Sequence, residues 1–184
     1  MFLLRHGQSL FNLLFTETRR DPGIEDPELT ELGHEQARAA ADRLAGKVIT
    51  RVIISPYTRA LQTAAPVLER FDVPVEIMVG VRERFAFACD IGRHRDELAL
   101  AFPQHKFDHL PDRWWPEAYE TAEETILRAD EFRREMSRRE DAATTLLVSH
   151  WAFILALTGV SITNGQLLDY DPASAAPETI QWRP

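Results

Sequence analysis

The sequence has few of the features that would set it apart from ordinary globular proteins. It holds a single cysteine, Cys89, which excludes an internal disulfide and a CxxC site and fits a reducing compartment. No apolar run approaches the ~20 residues of a membrane span, and no leader-like segment precedes the first apolar run, so a cytoplasmic location is the expectation. Basic runs are missing as well. The net charge is -8 over 184 residues, with acidic residues spread along the chain; this argues against nucleic acid or a membrane surface as the main partner. There is no internal repeat and no low-complexity segment. The length suits one domain, 1–184, with a small inserted cap at about 80–116 where the pattern breaks down.

What is present alternates between short apolar runs and helical patterns. Phe2, Leu3 and Leu4 run into Arg5, His6 and Gly7, which reads as a buried strand ending in a turn. A helix from Ser9 to Thr16 and a loop from Glu17 to Glu28 follow. Thr30 is placed to cap a helix reaching Gly46, with Leu32, Ala37, Ala40, Ala41 and Leu44 on one face. Arg51 to Ser55 is a second strand, and Ser55 and Pro56 are start signals for the next helix. Val73 to Met78 is a third strand, and Asp96 to Phe102 a short helix within the excursion. Glu117 to Arg139 is the clearest helix, acidic at its start and basic at its end. Thr144 to Ser149 is a fourth strand, followed by His150 and an apolar helix from Trp151 to Leu157. Val160 to Thr163, Asn164-Gly165 and Gln166 to Tyr170 spell a hairpin. Together these elements predict an α/β fold. Its form is a three-layer α/β/α sandwich on a mostly parallel mixed sheet, with an antiparallel strand near the C-terminus.

Three strand exits share a feature. The first ends in Arg5-His6-Gly7, the second in a Ser-Pro turn with Arg59, the fourth in Ser149-His150. If those strands are parallel neighbours, their carboxyl ends meet at one crevice, where open α/β sheets place their ligands. Two arginines and two histidines would then face one another, an arrangement that repels itself unless an anion sits in it. A lone His at a strand end is more often structural; three matched exits carry more weight. His105 and His109 have helical spacing for a metal pair, but they lie among Pro and Asp residues with no third ligand evident.

The motifs LLRHGQSLFN at 3–12, LTELGHEQA at 29–37, SPYTRALQTA at 55–64 and LLVSHWAFILALTG at 146–159, in that order, resemble those of the histidine phosphatase superfamily. That group includes cofactor-dependent phosphoglycerate mutases and small-metabolite phosphatases. The resemblance implies a phosphoglycerate mutase-like fold and His6 as the nucleophile that becomes phosphorylated. It implies that Arg5, Arg59 and His150 hold the transferred group and that Asn12 helps line the pocket, with Gln8 and Ser9 beside it. Glu83, in VRERFAF, matches the carboxylate that protonates the leaving group, with Asp90 and Glu28 as alternatives. Trp151 stands where the common pattern has Gly, and an indole there either narrows the pocket or packs in the core.

The chemistry is sensible by itself. Phosphoryl transfer needs an in-line nucleophile and stabilised equatorial oxygens, and two arginines supply fixed, permanent charge without a metal or other cofactor. The expected partner is a small-molecule phosphate ester, and a homodimer is suggested by analogy alone. Cys89 to Arg93 is expected at the pocket rim. Arg82, Arg84, Arg93, His94 and Arg113 are candidates to reach a second acidic group, against the plainer reading of solvent-facing charges. The leading function is a phosphomonoesterase acting through phosphohistidine. A mutase, and from another class an inactive binding or scaffold module, are the alternatives.

Overall fold

Strand formation follows the apolar runs closely, and strand order decides where the polar residues meet. The computed structural model describes residues 1–182. In chain order they form β1 (Phe2–Arg5), α1 (Leu10–Thr18), α2 (Glu31–Arg43), β2 (Arg51–Ile54), α3 (Thr58–Leu68) and β3 (Val75–Ile77). Then come α4 (Arg95–Ala101), α5 (Ala122–Met136), β4 (Thr145–Ser149), α6 (Trp151–Thr158) and β5 (Leu167–Asp169). The sheet order is β3-β2-β4-β1-β5. β1, β2 and β3 run parallel to their neighbours around β4, while β5 is antiparallel to β1.

Register sets the rest. Arg5 pairs with Ser149 and Ile54 with Val148, so His6 and His150 leave the sheet side by side, with Ser55 on the other flank. The ladder continues one step past the strands: His6 N–H donates to the Ser149 carbonyl at 3.0 Å and Ser55 N–H to Val148 at 3.1 Å. Alternation divides the core. Leu4, Val52, Ile54, Leu146 and Val148 pack under α2 and α3, whose Ala40, Ala41, Ala60 and Ala64 are fully buried. Leu3, Ile53 and Leu147 pack against Ala129, Phe132 and Met136 of α5 and Phe153 and Ile154 of α6. His6 and His150 share the parity of Leu4 and Val148, which turns them toward α3.

Several boundaries differ from the sequence expectations. α3 starts at Thr58, not Pro56; its start is capped from a distance by the Asp26 carboxylate, which accepts from Thr58 N and Oγ1. Ser55 is used elsewhere, as described below. α5 is shorter than Glu117 to Arg139, because Thr121 and Glu124 form a capping box that sets its first turn. The expected 160–170 hairpin does not form. Leu167–Asp169 instead extends the sheet along the open edge of β1, and Gly165 N–H in the intervening turn lies against the carbonyls of Arg5 and His6. Leu32 was assigned to the inner face of α2 but is exposed; Gly33 is buried in its place.

Gly33 explains why the 29–37 motif is there. A Cβ on Gly33 would lie 2.1 Å from the Gln8 carbonyl oxygen, and one on Gly7 would lie 2.3 Å from the Gly33 oxygen. The start of α2 thus docks backbone to backbone on the loop after His6. Thr30 N–H donates to Gln8 O at 2.9 Å and the Gln36 side chain accepts from Gln8 N at 2.8 Å. G33A is therefore expected to lower stability in chemical denaturation by about 2–3 kcal/mol. G80A, whose new Cβ meets only the Met78 side chain at 3.8 Å, is the control. Equal stability of the two variants would contradict this docking.

Candidate active site

At the carboxyl ends of β1 and β4 the two imidazoles stand with ring centroids 5.1 Å apart. Both are buried. His6 Nδ1 lies 2.7 Å from the Gly7 carbonyl. A carbonyl can only accept, so the ring proton sits on Nδ1 and the lone pair is left on Nε2. Burial pushes the His6 pKa well below its ordinary value, and Arg59 and Arg5 push it further, against the Gly7 hydrogen bond. The ring is a neutral base with one free nitrogen. His150 Nε2 is 2.7 Å from Ser55 Oγ, while its Nδ1 is buried without a partner. A hydroxyl can donate or accept, so this contact fits either neutral tautomer of His150. Burial first, then Arg59 and His6, hold its pKa well below the ordinary value.

The two arginines reach the imidazoles from different elements. Arg5 ends β1; its Nη1 donates to the Ile162 carbonyl at 2.8 Å and its Nε is buried and unpartnered. Burial lowers its pKa to about 10, with Arg59 adding to the fall and Glu83 opposing it. Arg59 is carried by the first turn of α3 and is buried. Its Nη1 donates to the Cys89 carbonyl at 2.7 Å and its Nη2 to Asp90 Oδ1 at 3.1 Å. Burial opposes its charge, but Cys89, Asp90, Tyr57 and Asp26 more than restore it, and its pKa is raised. Thr63 ties α3 to the first loop, accepting from Gly7 N at 3.0 Å and donating to the Arg59 carbonyl. Arg5 Nε and His150 Nδ1, buried polar atoms without partners at the exits of neighbouring strands, are suited to an oxyanion.

A family model described as the histidine phosphatase superfamily, branch 1, matches residues 1–176. The chain belongs to this superfamily. It is 29% identical over 180 residues to a glucosyl-3-phosphoglycerate phosphatase of Mycolicibacterium vanbaalenii, covering 91% of this chain and 78% of that one. Over 78 residues it is 47% identical to a 2,3-bisphosphoglycerate-dependent phosphoglycerate mutase of Methylobacterium sp. strain 4-46, covering 40% of this chain and 35% of the mutase. Among solved structures, a mycobacterial glucosyl-3-phosphoglycerate phosphatase with VO3 matches with a TM-score of 0.63 at 23% identity, covering 91% of this chain and 88% of that one. A putative alpha-ribazole-5'-P phosphatase of Escherichia coli matches with a TM-score of 0.65 at 23% identity, covering 90% and 87%. At such identities these structures speak for the fold.

In this superfamily member Glu83 sits at the start of α6. Its carboxylate accepts from Ala152 N at 2.9 Å and from Arg84 N at 2.9 Å, acting as the cap that the His150 side chain does not supply. Burial raises the Glu83 pKa and nearby Asp90 raises it further, against those N–H donors and Arg59. Two carboxylates in one site share protons as a pair. Asp90 has the stronger claim to the charge: it faces the Arg59 guanidinium, and its Oδ2 accepts from Ala86 N at 3.0 Å and Phe87 N at 3.1 Å. Burial raises the Asp90 pKa as well, against Arg59 and those amides; the contacts that favour charge are stronger on Asp90, which leaves Glu83 the better placed of the two to carry a proton. Behind Glu83 lies a second buried cluster. Arg128 donates to both Glu120 oxygens and to the carbonyls of Gly80 and Arg82, fixing the backbone that enters Glu83.

The other expected residues fall into place unevenly. Ser9 caps α1 in a capping box with Asn12, and the Asn12 Oδ1 also accepts from Asn164 Nδ2, which in turn donates to the His6 carbonyl at 3.1 Å. Gln8 holds Thr30 through its side chain. These groups shape the His6 loop from outside. The Trp151 indole N–H donates to Ser161 at 2.9 Å and its ring meets Trp182, so it packs in an outer layer and not in the core. Glu28 is exposed and paired with Arg93. The charges proposed for a second acidic group each have local partners: Arg82 with Glu120, Arg84 over Trp182, Arg93 with Asp26 and Glu28, His94 with Asp112, Arg113 with Glu117. Cys89 and Asp90 do not form a rim; both are buried beneath Arg59. His109 Nε2 donates to the Ile77 carbonyl, and His105 edges onto Phe107. Among the described residues no group of three His, Cys, Asp or Glu side chains is placed to hold a metal ion.

Sequence reading passed over Tyr57. Fully buried, it stands edge-on to His150 at 5.2 Å and under the Arg59 guanidinium at 4.3 Å. An aromatic face beneath a buried cation is favourable, and only its place inside the third motif hinted at it. A tetrahedral oxyanion should relieve the unpaired nitrogens. Inorganic phosphate at about a hundred times its Kd is expected to add about 2.7 kcal/mol of stability, read as a rise in Tm. An unchanged Tm at saturating phosphate would contradict the site.

Proposed function

We infer that this chain is a phosphomonoesterase that hydrolyses a small phosphorylated metabolite through a phosphohistidine on His6, without a metal. The observation that carries this is the pair of buried, unpartnered nitrogens, Arg5 Nε and His150 Nδ1, near a neutral imidazole whose proton sits on Nδ1; with Ser55 donating to Nε2, His150 Nδ1 is a donor for the transferred group. In the first step the Nε2 lone pair attacks phosphorus, the P–O ester bond breaks, and Glu83 gives its proton to the departing oxygen. Arg5, Arg59 and His150 take up the charge on the equatorial oxygens. In the second step water attacks, its proton returns to Glu83, and the P–N bond breaks to release inorganic phosphate and restore His6. The printed activities of the relatives, a sugar-phosphoglycerate phosphatase among them, support an ester of a small metabolite. The local identity to a mutase keeps phosphoglycerate interconversion as the second reading. Release of inorganic phosphate, with no exchange between phosphoglycerate isomers, separates hydrolysis from it.

The test is a metabolite-phosphate screen of the purified chain without added metal, with H6A as the control. H6A is expected to lose more than about 10⁴-fold in kcat; activity persisting in H6A would remove the mechanism. E83Q should cost about 10²- to 10⁴-fold on an alkyl phosphate but far less on p-nitrophenyl phosphate, whose leaving group needs no proton. The pH profile has a worked sign. The His6 pKa is lowered, so the imidazole stays unprotonated below its ordinary value and kcat/KM should hold up at pH 6. The Glu83 pKa is raised, so the required proton persists above the ordinary carboxylate range and activity is lost as pH rises past it.

A further inference from the structure

We propose that Asp90 is a positioning residue for phosphoryl transfer, holding the Arg59 guanidinium in the orientation that binds the transferred group. The proposal rests on the phosphatase reading and adds a residue to it. Geometry carries the argument. Asp90 is 1% exposed and Arg59 3%, so this ion pair is closed to solvent and its partners cannot exchange with water. Arg59 spends one hydrogen of Nη2 on Asp90 Oδ1 and one of Nη1 on the Cys89 carbonyl. Both contacts come from one short turn, Ala88–Asp90, and they fix the plane of the fork. The remaining N–H groups are left for an oxyanion.

Asp90 is itself held on every side. Its Oδ2 takes the Ala86 and Phe87 amides, its Oδ1 lies 3.5 Å from the Cys89 thiol, and its carbonyl accepts from the buried Tyr57 hydroxyl. With both oxygens engaged, it has no free face with which to protonate a leaving group. It acts through Arg59. The same contacts join the segment 84–90 to the phosphoryl pocket, so the chain that presents Glu83 and the helix that presents Arg59 are keyed to one carboxylate. Because guanidinium and carboxylate are placed by the same turn, a shift in either moves both the oxyanion donors and the proton donor. Misplacement of that kind by an ångström is enough to cost about 100-fold.

A second consequence separates positioning from mere structural support. The groups facing Glu83 are Arg5 from β1, Arg59 from α3, Asp90 and the Cys89 thiol from the turn, and the Ala152 amide from α6, with Arg128 of α5 donating to its backbone carbonyl. Asp90 is the other carboxylate in that set, and its charge favours the protonated form of Glu83.

The experiment is Asp90→Asn in the full chain, which keeps an oxygen for the Ala86 and Phe87 amides and removes the charge. With phenyl phosphate as the probe, kcat/KM is expected to fall about 10- to 100-fold. The basic limb of its pH profile should move to lower pH, and inhibition by orthovanadate should weaken. Loss of activity with an unmoved basic limb and unchanged vanadate inhibition would reduce Asp90 to a structural role and overturn the proposal, as would activity within about twofold of the parent. If Asp90→Asn does not fold by circular dichroism, Asp90→Glu carries the test. The longer carboxylate displaces the guanidinium but keeps the charge, so vanadate inhibition should weaken with the basic limb in place; unchanged inhibition overturns the proposal. A parent chain inactive on every phosphate ester, or an active H6A, would instead be a failure of the phosphatase reading.

Discussion

Concentrated positive potential in a buried crevice is the constraint on which this structure depends. Arg5 and Arg59 cannot lose their charge at neutral pH, and Arg59 is near enough to disfavour the charge on Arg5. The molecule tolerates this by keeping both imidazoles neutral and by pairing Arg59 with Asp90. It leaves Arg5 with a lowered pKa and one unpartnered nitrogen. What remains is a cluster of cations and unpartnered nitrogens whose charge suits the anionic group of the proposed substrate. A net charge of -8 over the whole chain makes the local excess of cations more telling, since the protein's overall field works against recruiting phosphate.

Holding that crevice open requires backbone precision, and most of the motif residues serve it indirectly. The parallel register of β1, β4 and β2 sets His6, His150 and Ser55 side by side. Gly33, Thr30 and Gln36 clamp the loop after His6 from outside, Thr63 clamps it from α3, and Asn164 from the turn before β5. Asp26 fixes the start of α3 and so the origin of Arg59. Breaking a buried ion pair by removing one partner costs about 3–5 kcal/mol, so Arg59 and Asp90 are joined in stability as well as in placement.

Much of this was legible in the sequence. Apolar runs of β-branched and leucine residues mark the strands to within a residue or two, and the polar residues at the exits of β1, β2 and β4 do lie side by side. The α2 cap at Thr30 and the apolar α6 were equally plain. Other features were not. The hairpin expected after Val160 does not form, because local turn chemistry at Asn164-Gly165 says nothing about which strand the next segment will join, and Leu167–Asp169 pairs with the open edge of β1. Ser55 looked like a helix cap, yet its hydroxyl is taken by His150 and the cap comes from Asp26, a partner 32 residues away. Tyr57 has no sequence signal of its own, and Asp90, expected at the rim or as a proton donor, is instead buried against Arg59. Their importance lies in tertiary contacts to Arg59, and in the sequence they sit in turns whose periodicity is silent.

The central claim is that the phosphoryl group passes onto the Nε2 of His6. It is tested most directly by quenching the enzyme in alkali within milliseconds of mixing with a phosphate ester, then mapping phosphate by mass spectrometry of the peptides. Alkali preserves phosphohistidine and destroys acyl phosphate. The account predicts a transient phosphate on His6 that appears before, and decays with, release of inorganic phosphate. Turnover with no phosphate on His6 at any time, or with the label on another residue, would contradict it.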